Sequence, residues 1–133
     1  MKKTYPLVLF FLAFPALSDT VESPCEKIEA SQQIAQCAEY KKDQSDKTLN
    51  LSYKETLDRI KHQYEKSPLL ADQYISLLRG AQREWIKLRD ADCKLEAFEI
   101  EETSEAYQAT INNCISRMSD KRTHYLKNIA PDI

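Results

Sequence analysis

Gln82-Arg83-Glu84-Trp85-Ile86-Lys87-Leu88-Arg89-Asp90-Ala91-Asp92-Cys93 is the stretch that decides the fold. On a helix, Gln82, Trp85, Arg89 and Cys93 share one face at steps of three, four and four. That face carries the sole tryptophan, a guanidinium and a cysteine on the side expected to be core. A guanidinium taken out of water needs an ionic or hydrogen-bonding partner. Upstream, Asp46 stands among Leu49, Asn50 and Tyr53 and supplies one. The expected arrangement is a polar core of Asp46, Asn50, Gln82, Trp85, Arg89 and Arg122 that fixes helix register. A fully buried pair of this kind loses about 3–5 kcal/mol when one partner is removed.

Outward from this stretch, the rest of the chain also reads as helix. Gly80 is the one glycine in 133 residues, while sheet turns commonly require glycine at left-handed positions. Lys, Glu, Gln, Leu and Ala, all good helix formers, are abundant. A first helix is expected from Gln32, capped by Ser31, with apolar positions Ile34, Cys37, Ala38, Leu49, Tyr53, Leu57, Ile60 and Tyr64. Ser67-Pro68 stops it, because proline disfavours helical geometry in the residue before it. A second helix from about Leu70 carries Ile75, Leu78, Trp85, Leu88 and Cys93 toward Phe98. Gly80 inside it costs about 1 kcal/mol relative to alanine, which suggests a close helix contact there. Ser104 caps a third helix bearing Tyr107, Ile111, Cys114, Ile115, Met118, Tyr125 and Leu126, ended by Pro131. The fold class is all-α: three helices with an antiparallel hairpin.

Cys25, Cys37, Cys93 and Cys114 form an even set in a chain that opens like an exported one, so two disulfides are expected. Cys93 and Cys114 lie ten or eleven residues either side of the break near Thr103, and face each other in an antiparallel hairpin. Cys25 and Cys37 close only if residues 25–31 fold back, since twelve helical residues rise about 18 Å and a bridge needs roughly 6 Å. Four cysteines allow three pairings, and this is the expected one. Zinc is the rival use, but no cysteines form a close pair and His62 and His124 are isolated. No metal and no cofactor are expected.

The N-terminus sets the compartment. Lys2 and Lys3 precede the apolar run Leu7–Phe14, and Pro15-Ala16-Leu17-Ser18 places small residues where a signal peptidase reads. Residues 1–18 are thus expected to be a signal peptide and residues 19–133 a single domain, periplasmic or secreted after cleavage near Ser18. The run is too short for a membrane helix of roughly 20 residues, so no membrane insertion is expected. Cleavage removes two lysines and no acid, taking the net charge from −2 to −4. That balance argues against nucleic acid, which selects basic stripes, and suits a basic partner.

The acids are concentrated. Asp90, Asp92, Glu96, Glu99, Glu101, Glu102 and Glu105 surround one hairpin tip with Lys94 as the amine among them. Glu96, Glu99, Glu101, Glu102 and Glu105 form a candidate patch for steering a cationic protein; the alternative is a solvated helix end. No EF-hand spacing is present. No carboxylate pair is marked by an apolar setting, neither histidine has a nucleophile motif nearby, and oxidised cysteines leave no thiol. Catalytic residues are not expected.

Cys37, Asp46-x-x-Leu49-Asn50-x-x-Tyr53, Gln82-Arg83-x-Trp85-Ile86-x-x-Arg89-Asp90-x-x-Cys93, and Cys114 followed by Ser119, Arg122 and Leu126 resemble the LprI-type lysozyme inhibitor family. The resemblance covers nearly all of residues 19–133; Ser119 stands where the family more usually has threonine. It implies a small helical exported protein that inhibits lysozyme by protein–protein contact, lysozymes being commonly basic. The alternative is an envelope interaction module without lysozyme-directed activity.

Overall fold

The computed structural model describes residues 23–131. The signal-peptide reading of residues 1–18 and the cleavage position near Ser18 lie outside the described residues. Three helices follow in order: α1 Ser31–Gln63, α2 Pro68–Glu96 and α3 Glu105–Lys127. No strand occurs among the described residues, and the all-α, three-helix expectation holds.

Local chemistry sets the ends. Ser31 is the first residue of α1 rather than its cap, and Ala30 occupies the cap position in extended geometry. Alanine has no side-chain acceptor, so Gln33 satisfies the exposed amides instead: its Oε1 accepts from the backbone N–H of Glu29 and of Ala30. α2 starts two residues earlier than expected, with Pro68 in its first turn, where the missing N–H costs nothing. Ser104 caps α3 as anticipated, its Oγ accepting from Tyr107 N at 3.1 Å. α3 stops at Lys127, before Pro131; Asn128 is the C-cap and Ala130 adopts a positive φ of 45°.

The helices run up, down and up. Ser45 meets Ser116 at 2.8 Å, Ser52 donates to Thr123 O at 3.5 Å and Arg59 Nε donates to Ala130 O at 3.3 Å. Each of these pairs is 71 residues apart, so α1 and α3 lie parallel in constant register. α2 runs antiparallel to both. Small side chains let α1 and α3 approach: Ala38, Ser45, Ser52 and Thr56 on one, Ala109, Ser119 and Thr123 on the other, all buried. Thr56 Oγ1 reaches both Ser52 O and Leu126 O, and Ser45, Ser52 and Ser119 are also hydrogen-bonded, whereas the buried Thr123 Oγ1 has no partner among the described residues. Leu49, Ile60, Ile75, Leu78 and Leu126 make the apolar core, at the end of the bundle remote from the α2–α3 turn, with Tyr53, Tyr64, Tyr74 and Trp85 packed against it.

Both expected disulfides form. Cys93–Cys114 ties α2 to α3 and Cys25–Cys37 ties the N-terminal segment to α1. Met118 Sδ lies 3.9 Å from Cys93 Sγ and 4.0 Å from Cys114 Sγ, covering the first bridge. Several core assignments are corrected. Ile34, Leu88 and Tyr125 are exposed, because the small-residue face of α1, the Ile75–Gln82–Cys93 face of α2 and the Ser119–Thr123–Leu126 face of α3 turn inward instead. Gly80 marks no close contact within the chain: a Cβ built there meets nothing within 4 Å.

Candidate functional site

Arg89 is the hub of a polar seam joining all three helices. Its Nη1 donates to Asp46 Oδ1 of α1 at 3.1 Å and to Ser119 Oγ of α3 at 3.2 Å. Ser119 Oγ in turn donates to Asp46 Oδ1 at 3.1 Å. The other edge of the guanidinium, Nε and Nη2, is bound by Asp90 Oδ1 at 2.9 Å. The Arg89 side chain is 12% exposed but that of Asp46 is 36% exposed, so the ion pair sits at the rim of the core rather than inside it.

One turn away, Trp85 receives two cations. The guanidinium carbons of Arg89 and Arg122 each lie 5.4 Å from its ring centroid, within cation–π range. Arg122 also stands 4.7 Å from the Tyr125 ring, and its Nε donates to Oε1 of buried Gln82 at 3.0 Å. Its Nη2 is buried without a hydrogen-bond partner among the described residues. Burial lowers the Arg122 pKa from its ordinary value, opposed by the charge interaction with Tyr125. The ring faces thus take the place of a carboxylate. Asn50 does not join this seam. It is exposed, one residue past buried Leu49 and so a hundred degrees around α1 from the interior face.

Arg59 was not singled out by the sequence, yet it makes four hydrogen bonds. Nη2 donates to Leu126 O at 2.9 Å, Ile129 O at 3.2 Å and Thr56 Oγ1 at 3.1 Å, and Nε to Ala130 O. It closes the C-terminus of α3, where carbonyls lack partners and the helix dipole favours a cation. No residue spacing announces this role, because the acceptors are backbone atoms.

At the opposite end lies the α2–α3 turn. Glu99, Glu101, Glu102 and Glu105 are exposed around it. Ser104 Oγ donates to Glu101 O at 2.7 Å, which holds the turn in shape. Glu96 is also exposed but is not a free carboxylate, since Arg117 Nη2 binds its Oε2 at 2.6 Å. Arg117 lies on α3, beyond the acidic stretch, so the local sequence did not show it. Beside the turn is a shallow depression of about 330 Å³ between α1 and the start of α3. Carboxylates of Glu39 and Glu105 and amides of Gln32, Gln36, Gln108 and Asn112 line it. Oxygen acceptors of this kind can receive an ammonium or guanidinium; no thiol or nucleophile–base pair accompanies them.

A three-helix body braced by two disulfides and a tryptophan–arginine seam, with acceptors gathered at one end, defines a small, rigid helical scaffold. The model of the family described as Lysozyme inhibitor LprI matches residues 25–126. The chain belongs to that family, an inhibitor family by its description. It is similar to a DUF1311 family protein of Pseudomonas putida KT2440 of known crystal structure, with 33% identity and a TM-score of 0.70 over 80% of this chain and all of that one. It is also 26% identical to an uncharacterized protein of Rhizobium meliloti (strain 1021) over 118 residues, 86% of this chain and 84% of the relative. No helix among the described residues is long and apolar enough to cross a membrane.

Proposed function

We propose that this chain is exported, trimmed near Ser18 to the single domain 19–133, and inhibits a lysozyme by direct protein–protein contact. The observation that carries the reading is the family match across residues 25–126. Two disulfides in so small a chain support an oxidising compartment such as the periplasm. The acidic α2–α3 turn is the contact face in this reading: Glu99, Glu101, Glu102 and Glu105 steer a basic enzyme. A lysine or arginine of that enzyme enters the depression between Glu39 and Glu105. The mechanism is occupation of the enzyme's cleft, with no bond made or broken by the inhibitor and no cofactor. Asp46, Gln82, Trp85, Arg89 and Arg122 hold the turn in position from behind and do not themselves meet the partner.

The test is a cell-wall turbidity assay with the disulfide-intact protein titrated against chicken-, goose- and invertebrate-type lysozymes. Lysis by at least one should fall to near zero at about one chain per enzyme. Undiminished lysis by all three at tenfold excess counts against the reading.

A further inference from the structure

α2 carries a second surface that the acidic turn does not explain. Leu70, Leu77, Leu88 and Leu95 are 51, 74, 56 and 71% exposed. Their spacings of seven, eleven and seven residues bring all four within about 20° of one line along the helix. This line is turned away from the Ile75–Gln82–Cys93 face that packs inward. Such a row of large apolar side chains is what another helix covers.

The spacing also says which helix. Leu70 and Leu95 lie equally far from a midpoint between Gln82 and Arg83, and so do Leu77 and Leu88. A row with this symmetry is its own complement when a second copy lies antiparallel: Leu70 meets Leu95 of the other chain and Leu77 meets Leu88, at both ends alike. Leu69 and Phe98, 72 and 83% exposed, add apolar surface at the two ends of the row. Around the midpoint the row holds Ala81 and Glu84, with Gly80 alongside. Small side chains there let two helices cross closely, and Glu84 is already neutralised by Lys87 at 2.9 Å. An interior glycine with open space at its Cβ position has no reason inside the chain and gains one beneath a crossing helix.

We propose that this face of α2 is a homodimer interface, two copies packing antiparallel about a dyad beside Gln82 and Arg83. Each copy contributes on the order of 500 Å² of apolar surface, so the interface is near the lower end of specific ones and the dimer forms at micromolar concentration. It carries two acidic turns at opposite ends. The proposal does not rest on the lysozyme reading, and its test contains no lysozyme.

Sedimentation velocity of the oxidised, signal-free protein from 1 to 200 μM should show monomer converting to dimer. Leu77→Glu with Leu88→Glu should abolish that conversion while leaving the circular dichroism spectrum unchanged. Orientation is read separately: under mild oxidation, Leu77→Cys mixed with Leu88→Cys should cross-link as a heterodimer at least tenfold faster than either variant alone. A monomer at 200 μM overturns the proposal, as does a dimer indifferent to the double substitution or one in which Leu77→Cys cross-links to itself faster. If the double variant is misfolded, the cross-linking rates alone decide.

Discussion

Arg59 and Arg89 both project from a helix into a neighbour, but their acceptors differ in kind. Arg59 binds the carbonyls of Leu126, Ile129 and Ala130 at and just past the end of α3, where the helix itself supplies few donors. Arg59→Ala should therefore cost about 1–3 kcal/mol in urea unfolding. Arg59→Lys should recover less than half, since one ammonium cannot span the same carbonyls. Equal stability of Arg59→Lys and the parent would show that charge alone matters. Arg89 has Asp90 as well as Asp46, and Asp46 is partly hydrated. Asp46→Ala is accordingly expected to cost about 1–2 kcal/mol, below the loss for a fully buried pair. A loss of 4 kcal/mol would mean that Asp90 does not share the charge. The Asp46–Arg89 contact was legible because an arginine between tryptophan and cysteine at helical spacing demands a partner. Asn50 was misplaced because Asp46 itself sits at the rim of the core, and the roughly 40° of rotation to a residue four places on carries Asn50 further out from the Leu49 face.

At the scale of elements, the three helices, the α2–α3 hairpin and both disulfides could be read from glycine scarcity, proline, caps and cysteine spacing. The packing of α1 on α3 could not. Its interface is made of Ser45, Ser52, Thr56, Ser119 and Thr123, residues that a hydropathy pattern assigns to the surface. They are inside because small size permits close approach and because Ser45, Ser52, Thr56 and Ser119 find hydrogen-bond partners on neighbouring helices, while Thr123 Oγ1 has none among the described residues. Leu88 shows the converse error: an apolar residue at a plausible step that faces outward. Gly80 lies in the interior of α2, with ordinary helical φ and no neighbour to meet a methyl group. Gly80→Ala should raise stability by about 0.5–1 kcal/mol, measured by denaturation at submicromolar concentration where the chain is monomeric. A loss of stability would reveal a contact that the open space around Gly80 does not contain.

For the molecule as a whole, the braced body and the proposed recognition surface are separated along the bundle. The apolar core and the Arg59 closure lie at one end, the Trp85–Arg89–Arg122 seam in the middle, and the carboxylates at the other end beside Cys93–Cys114. The crosslink and the Ser104 cap fix the turn that displays those carboxylates, so the surface proposed for the partner is preorganised. The acidity of the turn was visible in the sequence; the loss of Glu96 to Arg117 and the depression shared with Glu39 needed the third dimension. The decisive measurement is isothermal titration calorimetry against the three lysozyme types, using the native protein and a variant with Glu99, Glu101, Glu102 and Glu105 all changed to Gln. One saturating transition with the native protein, weakened at least tenfold in the variant, is the expected result. The absence of heat with every lysozyme, or equal affinity for native protein and variant, would contradict binding through the acidic turn.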